Sequence, residues 1–250
     1  MTATAALRIA MWSGPRNISS AMMRSFGARA DCAVIDEPFY AAYLALSGSD
    51  HPMRGEVLAS QANDWNDVAA LLLGPVPDGK PIWYQKLMTH HMLPSFGRDW
   101  MHGMRNAFLI RDPRFVLGSY TRIRDRSAVT LADIGIVQQR ELFEREADRL
   151  GAAPPVVEGA DVLADPPRML SRLCAALGIP YTHAMLHWNA GRRDTDGVWA
   201  PAWYSAVENS TGFAPPPATA AQLPELPGEL RRIADAAHEH YAALAAHKLV

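Results

Sequence analysis

Two short segments carry the residue types that grip phosphate. The first is Ser13-Gly14-Pro15-Arg16-Asn17-Ile18-Ser19-Ser20. An apolar stretch meets a breaker cluster there and then passes into a run with helical periodicity, so the chain turns sharply from strand to helix. The first N–H groups of a helix have no intrahelical partner, and with the helix dipole they favour a bound phosphate or sulfate. Ser19 and Ser20 add hydroxyl donors, Arg16 adds a fixed cation, and Gly14, Pro15 and Asn17 complete the candidate binding turn. A capped helix with a surface arginine reads equally well from this segment alone. The nucleoside triphosphatase pattern G-x-x-x-x-G-K-[ST] is absent: Ile18 and Ser19 stand where its second glycine and lysine belong. That counts against an ATPase or kinase.

The second segment is Arg111-Asp112-Pro113-Arg114-Phe115-Val116-Leu117-Gly118-Ser119-Tyr120. An arginine at a strand end and a serine on the following helix can hold one phosphate from two directions. The plainer alternative is an Arg–Asp surface pair followed by an ordinary helix serine. Asp112 before Pro113 marks a helix start, a capping carboxylate and then proline at the first helical position.

Short apolar runs predict strands over Leu7–Trp12, Ala33–Ile35, Ile82–Lys86, Ala107–Ile110 and Pro155–Glu158. Between them the pattern predicts helices. One runs from Asn17 to Arg29 with Asn17 or Ser19 as its cap, and others cover Glu56–Leu73, Asp133–Leu150, Pro166–Leu177 and Leu226–Lys248. Strands alternating with helices predict one α/β domain over residues 1–250, a three-layer fold with a mostly parallel central sheet and helices on both faces. Ligands of such sheets bind beyond the carboxyl ends of the strands, which is where Arg16, Glu37, Lys86 and Arg111 fall. Trp188 to Leu223, rich in Gly, Pro, Trp and Ser, reads as loops that cover something. Within it lies the Pro-rich tract Ala214-Pro215-Pro216-Pro217-Ala218.

Composition sets the outer limits. Hydrophobic residues make up 49% of the 250 and charged residues 20%, which is a globular balance. With 24 Lys and Arg against 26 Asp and Glu, the net charge of -2 lacks the basic excess of a nucleic-acid coat protein. Cys32 and Cys174, far apart in apolar settings, support neither a disulfide framework nor a zinc site. The first residues do not read as a signal peptide, and no apolar run reaches the ~18 residues of a membrane span. A cytoplasmic protein with a small-molecule partner, and neither nucleic acid nor membrane as partner, is the expectation.

Taken together, the two segments resemble the sulfotransferases that use 3′-phosphoadenosine 5′-phosphosulfate (PAPS). That family's first turn reads P-[KR]-S-G-[ST]-[ST], and Pro15-Arg16-Asn17-Ile18-Ser19-Ser20 matches it at Pro, Arg, Ser and Ser. Its second motif, R-[DN]-P with a serine eight residues after the arginine, fits Arg111-Asp112-Pro113 with Ser119. Val157-Glu158-Gly159-Ala160-Asp161-Val162-Leu163-Ala164-Asp165-Pro166 is similar to a later strand-loop-helix stretch, and the likeness extends over roughly residues 7 to 190. Asn17-Ile18 departs from the family's Ser-Gly. The resemblance implies a P-loop-type nucleotide-binding fold. It also implies in-line transfer of a sulfuryl group to a hydroxyl or amine, adenosine 3′,5′-bisphosphate (PAP) as product, and no metal. The first turn would hold the phosphosulfate end and Arg111 with Ser119 the 3′-phosphate, while Arg16 would stabilise charge on the moving group.

A general base must take the acceptor's proton. Glu37 is one candidate, because several bacterial members place a glutamate after that strand. The other lies in Lys86-Leu87-Met88-Thr89-His90-His91, similar to the Lys-Thr-His of the cytosolic branch, with His91 ahead of His90. Lys86 would orient donor or acceptor. Arg192-Arg193-Asp194-Thr195-Asp196-Gly197-Val198-Trp199 is the nearest match to the family's C-terminal basic-Gly segment, which makes Arg192 and Arg193 candidate donor contacts. The aromatics Trp199, Trp203, Tyr204 and Phe213 either wall an acceptor pocket or pin the loop to the core. Two alternatives stay open: a nucleotide-binding module of the same shape that has lost transfer, and a small-molecule kinase.

Overall fold

The computed structural model of the protein describes residues 6–120, 129–215 and 222–250. The N-terminal residues before Ala6 and the prolines Pro216 and Pro217 of the Pro-rich tract lie outside the described residues.

Five strands form one sheet: β1 (Leu7–Ser13), β2 (Cys32–Asp36), β3 (Ile82–Met88), β4 (Arg105–Ile110) and β5 (Val156–Glu158). Their order is β2-β3-β1-β4-β5, and all four pairings are parallel. The first crossover therefore leaves β1 toward β2 and a later one reaches β4 on its other side. This reversal opens a crevice at the carboxyl end of β1, the place where open α/β sheets bind ligands. Among the described residues the helices are α1 (Ser19–Gly27), α2 (Tyr40–Ser47), α3 (Arg54–Ser60), α4 (Trp65–Leu73), α5 (Pro113–Tyr120), α6 (Leu131–Ile134), α7 (Ile136–Leu150), α8 (Gly159–Ala164), α9 (Pro166–Ala176), α10 (Ala200–Trp203), α11 (Ser205–Glu208) and α12 (Gly228–Ala245). None of them is long and apolar enough to cross a membrane.

Strand residues alternate between two cores. Ile9 and Met11 pack with Phe26 of α1 and Leu173 of α9, while Ala10 and Trp12 pack with Leu72, Leu142 and Leu230 of α4, α7 and α12. Both faces are buried, which is why the strands read as continuous apolar runs. Both cysteines are buried in the α1–α9 layer, and burial pushes the thiols up, Cys32 to about 12 and Cys174 to about 11.

Helix boundaries differ from expectation at several places, three of them bearing on the site or its supports. The run Glu56–Leu73 is two helices, because Gln61 is extended and Asp64 starts a new one by accepting from the Asn66 N–H at 2.7 Å. The helix expected from Asp133 begins at Leu131, behind a Thr130–Asp133 capping box, and breaks at Gly135. Gly135 has φ 66°, and a Cβ there would lie 2.6 Å from Thr89 Oγ1 and 2.7 Å from the His90 nitrogen. Only glycine permits both. Finally, α1 starts at Ser19 with Ile18 as its cap residue and no capping side chain, so neither Asn17 nor Ser19 caps it.

Candidate active site

A cleft of about 410 Å³ lies over the carboxyl ends of β2, β3, β1 and β4. Pro15, Arg16, Asn17, Ser19 and Ser20 line it from the first turn, and Arg111 and Ser119 from the second motif. Glu37, Lys86, His90 and His91 complete it from the ends of β2 and β3. The two anion segments thus share one cleft.

Asn17 has a different task from capping. Its Oδ1 accepts from the Ile18 N–H at 2.9 Å and its Nδ2 donates to the Leu109 carbonyl at 3.1 Å, tying the first turn to β4. Gln139 of α7 donates to the same carbonyl at 3.0 Å and to that of Trp12 at 3.2 Å, fixing the ends of β1 and β4 side by side. Gly14 sits beneath the turn rather than on the cleft wall, where a Cβ would lie 2.7 Å from the Ile134 carbonyl oxygen. Arg16 is left-handed at φ 55°, a strained conformation for a residue with a side chain. The strain is held from the second motif: the Arg111 guanidinium donates to the Arg16 carbonyl, and Arg16 Nε donates to Ser119 Oγ at 3.2 Å. Asp112 takes Arg114 as its partner, accepting from its backbone N–H at 2.9 Å and its Nε at 3.0 Å. The acid of the second motif is thus paired with Arg114, two residues further on.

This arrangement suits anionic groups. The first turn of α1 is uncapped at the cleft wall, so its N–H groups and the positive end of its dipole suit an anion. Two guanidiniums and the hydroxyls of Ser19, Ser20 and Ser119 share the same cleft.

The β2–β3 half is built on a buried ammonium. Lys86 is 1% exposed and its Nζ donates to Asp36 Oδ1 at 2.9 Å, Glu37 Oε1 at 2.5 Å and Tyr204 OH at 2.5 Å. Burial opposes the charge, but the two carboxylates outweigh it and hold the Lys86 pKa well above its ordinary value. Lys86 is thus no snorkelling surface residue. Asp36 is the better-served acid: it also accepts from Tyr204 OH at 2.8 Å and from the Gly197 N–H at 3.1 Å. Glu37 shares the ammonium with it and lies at the cleft wall with φ 39°. Burial raises its pKa, and Asp36 adds to the rise against the pull of Lys86.

His91 is 1% exposed and sandwiched between Tyr40 at 4.6 Å and Tyr43 at 4.9 Å. Neither ring nitrogen has a hydrogen-bond partner among the described residues. Burial holds its pKa well below the ordinary imidazole value, and His90, His51 and Lys86 lower it further. A neutral ring of such low proton affinity makes a poor general base.

Arg192 and Arg193 are not part of the cleft wall. Arg192 is exposed, and the Arg193 side chain turns onto the Asn189 carbonyl. Their segment is instead anchored by Asp196, which takes Arg24 through two bonds of 2.5 and 2.6 Å and accepts from the Arg193 N–H at 2.8 Å. The aromatic group divides between its two expected roles. Trp199 is buried in a core with Tyr40 and Leu44, while Trp203, Tyr204 and Phe213 wall the cleft. Sequence reasoning passed over Tyr40 and His51, which line the cleft and meet at 2.9 Å between Tyr40 OH and His51 Nδ1. Tyr40 and Tyr43 one helical turn apart, just after Glu37-Pro38, were the available signal. His51 had none.

A profile described as sulfotransferase domain matches residues 7–247. Branched-chain-amino-acid aminotransferase-like protein 1 of Arabidopsis thaliana is 34% identical over 206 residues, covering 82% of this chain but 36% of its own length. The chain thus spans about a third of that relative. Among solved structures, the sulfotransferase domain of the Synechococcus PCC 7002 olefin synthase superposes with a TM-score of 0.59 at 16% identity, over 97% of both chains. A mouse sulfotransferase complexed with PAP gives 0.52 at 12% identity, over 97% of this chain and 90% of that one. At those identities the two structures speak for the fold, which is of the P-loop α/β type expected.

Proposed function

The chain belongs to the sulfotransferase domain family, and on that premise we propose that it moves a sulfuryl group from PAPS to a hydroxyl or amine of a small-molecule acceptor. The observation that carries this reading is the meeting of both anion segments and a buried carboxylate–ammonium pair in one cleft. The first turn, with Arg16, Ser19 and Ser20, would hold the phosphosulfate end, and Arg111 with Ser119 the 3′-phosphate. Bound there, the donor supplies an activated sulfuryl group for in-line transfer, and PAP is left.

Glu37 takes the acceptor's proton. Burial raises its proton affinity above that of an ordinary carboxylate, which makes it the stronger base. Lys86 fixes the carboxylate by a charge-assisted bond and is itself fixed by Asp36 and Tyr204. Arg16 offers a cation to the charge that builds on the moving group, a contribution of about 10²–10³ in rate for one such donor. The absence of the Gly-Lys pair from the first turn speaks against a kinase.

The test is incubation with sulfur-labelled PAPS and a panel of hydroxyl and amine compounds. Label in an acceptor is expected. No transfer and no binding of PAP would overturn the reading, whereas PAP binding without transfer to any acceptor would leave a nucleotide-binding module in its place.

A further inference from the structure

Asp36 and Glu37 share the Lys86 ammonium, and they share it unevenly. Nζ lies 2.5 Å from Glu37 Oε1 and 2.9 Å from Asp36 Oδ1. The Tyr204 hydroxyl accounts for the asymmetry. A phenol has a single proton to donate. Both Asp36 carboxyl oxygens lie 2.8 Å from the hydroxyl, whereas Glu37 Oε1 lies 3.5 Å away, so Asp36 receives that proton. Burial and the neighbouring Asp36 hold the Tyr204 pKa well above its ordinary value, so the proton stays on the phenol. The hydroxyl oxygen accepts in turn from Lys86 Nζ and, at 3.4 Å, from Trp199 Nε1. Asp36 gains a further donor in the Gly197 N–H at 3.1 Å. Among the described residues, Lys86 is the one donor within 3 Å of the Glu37 carboxyl.

We propose that Tyr204 is a positioning residue: its hydroxyl satisfies Asp36 and thereby leaves the Lys86 ammonium to Glu37. The inference rests on reading Glu37 as the base of sulfuryl transfer. Without the phenol proton, Asp36 would be a buried carboxyl group short of a donor, a costly state. Lys86 is the donor at hand to make good the loss, because its ammonium sits on a flexible stem and already touches Asp36. It would then swing from Glu37 toward Asp36. The ring of Tyr204 has a separate task. It packs in the core that holds Tyr40, Leu44 and Trp199, and Lys86 Nζ lies 5.0 Å from its centroid. Tyr204→Phe keeps that packing and removes the hydroxyl alone.

The titration of Glu37 reads the sharing directly. It is followed by carbon NMR of the protein labelled at its glutamate carboxyl carbons, with the Glu37 signal assigned by its loss in Glu37→Gln. In Tyr204→Phe the Glu37 titration is expected to move up by about one pH unit, the size of a lost charge-assisted hydrogen bond. Asp36→Asn should move it down, since the ammonium then serves one acid. Adding Tyr204→Phe to Asp36→Asn should change nothing further, because the hydroxyl acts through Asp36. In each variant Lys86 keeps an acid partner, so no buried charge is orphaned. Arg16, Arg111, His51, His90 and His91 line the same cleft and are common to every variant, so the differences report on the cluster. In the transfer assay the acid limb of kcat/KM should rise with the titration. A Glu37 titration unmoved by Tyr204→Phe, one moved equally with and without Asp36, or a limb that stays while the titration moves would overturn the inference. A wild type that transfers no label would instead count against the transfer reading, while the titration, which needs no donor, still decides the sharing.

Discussion

At the scale of single residues the proposed chemistry turns on Glu37. Two acids share one buried ammonium, and burial, with the neighbouring Asp36, raises the Glu37 pKa. The base form is the ionised one, so activity is present above that pKa and lost as pH falls through it. The acid limb of kcat/KM should therefore lie above the ordinary carboxylate range. Glu37→Gln should remove this limb and lower kcat by roughly 10²–10⁴ while leaving PAP binding intact. A pH–rate profile of the variant that keeps the limb would assign it to another group. The cleft-lining residues of the two proposed anion segments were legible in the sequence because each segment uses neighbours in the chain: Pro15 to Ser20 is one turn, and Arg111 to Ser119 is a strand end with its next helix. The partners of Lys86 were not legible. Tyr204 reaches Asp36 across 168 positions, and no local pattern announces such a contact.

Elements place these residues through a few tight approaches. The break between α6 and α7 lets the turn carrying His90 and His91 come against Gly135, while Ile134 at the end of α6 closes on Gly14 under the first turn. One kink therefore supports both halves of the cleft. It escaped sequence reading because the apolar period of α7 continues through it, so the helix boundary depends on a glycine that periodicity alone does not weight. The loop that supplies Tyr204 is held by the Arg24–Asp196 pair, whose side chains are 3% and 0% exposed. Removing one member of a buried pair leaves an uncompensated charge. Asp196→Ala should cost about 3–5 kcal/mol in chemical denaturation. Retained stability would show that the pair does not anchor the loop. In sequence, Arg192 and Arg193 drew notice as the basic pair, but the anchor is the acid three residues beyond Arg193.

Across the whole molecule the fold was the most legible level. Five apolar runs became five strands, and their predicted parallel arrangement holds for every pair. The order β2-β3-β1-β4-β5 then brings together Glu37, Lys86, the first turn and Arg111, which no sequence window contains at once. The central claim is that the first turn and the second motif grip one nucleotide, with Arg111 on its 3′-phosphate. It is tested most directly by calorimetric titration of the wild type and Arg111→Ala with PAP and with adenosine 5′-phosphate, which lacks the 3′-phosphate. Because Arg111 also holds the Arg16 carbonyl, the informative quantity is the difference between the two ligands rather than either affinity alone. The wild type should favour PAP, and the variant should lose about 1.5–3 kcal/mol of that preference. A preference unchanged by the substitution, or a wild type that does not distinguish the two nucleotides, would contradict it.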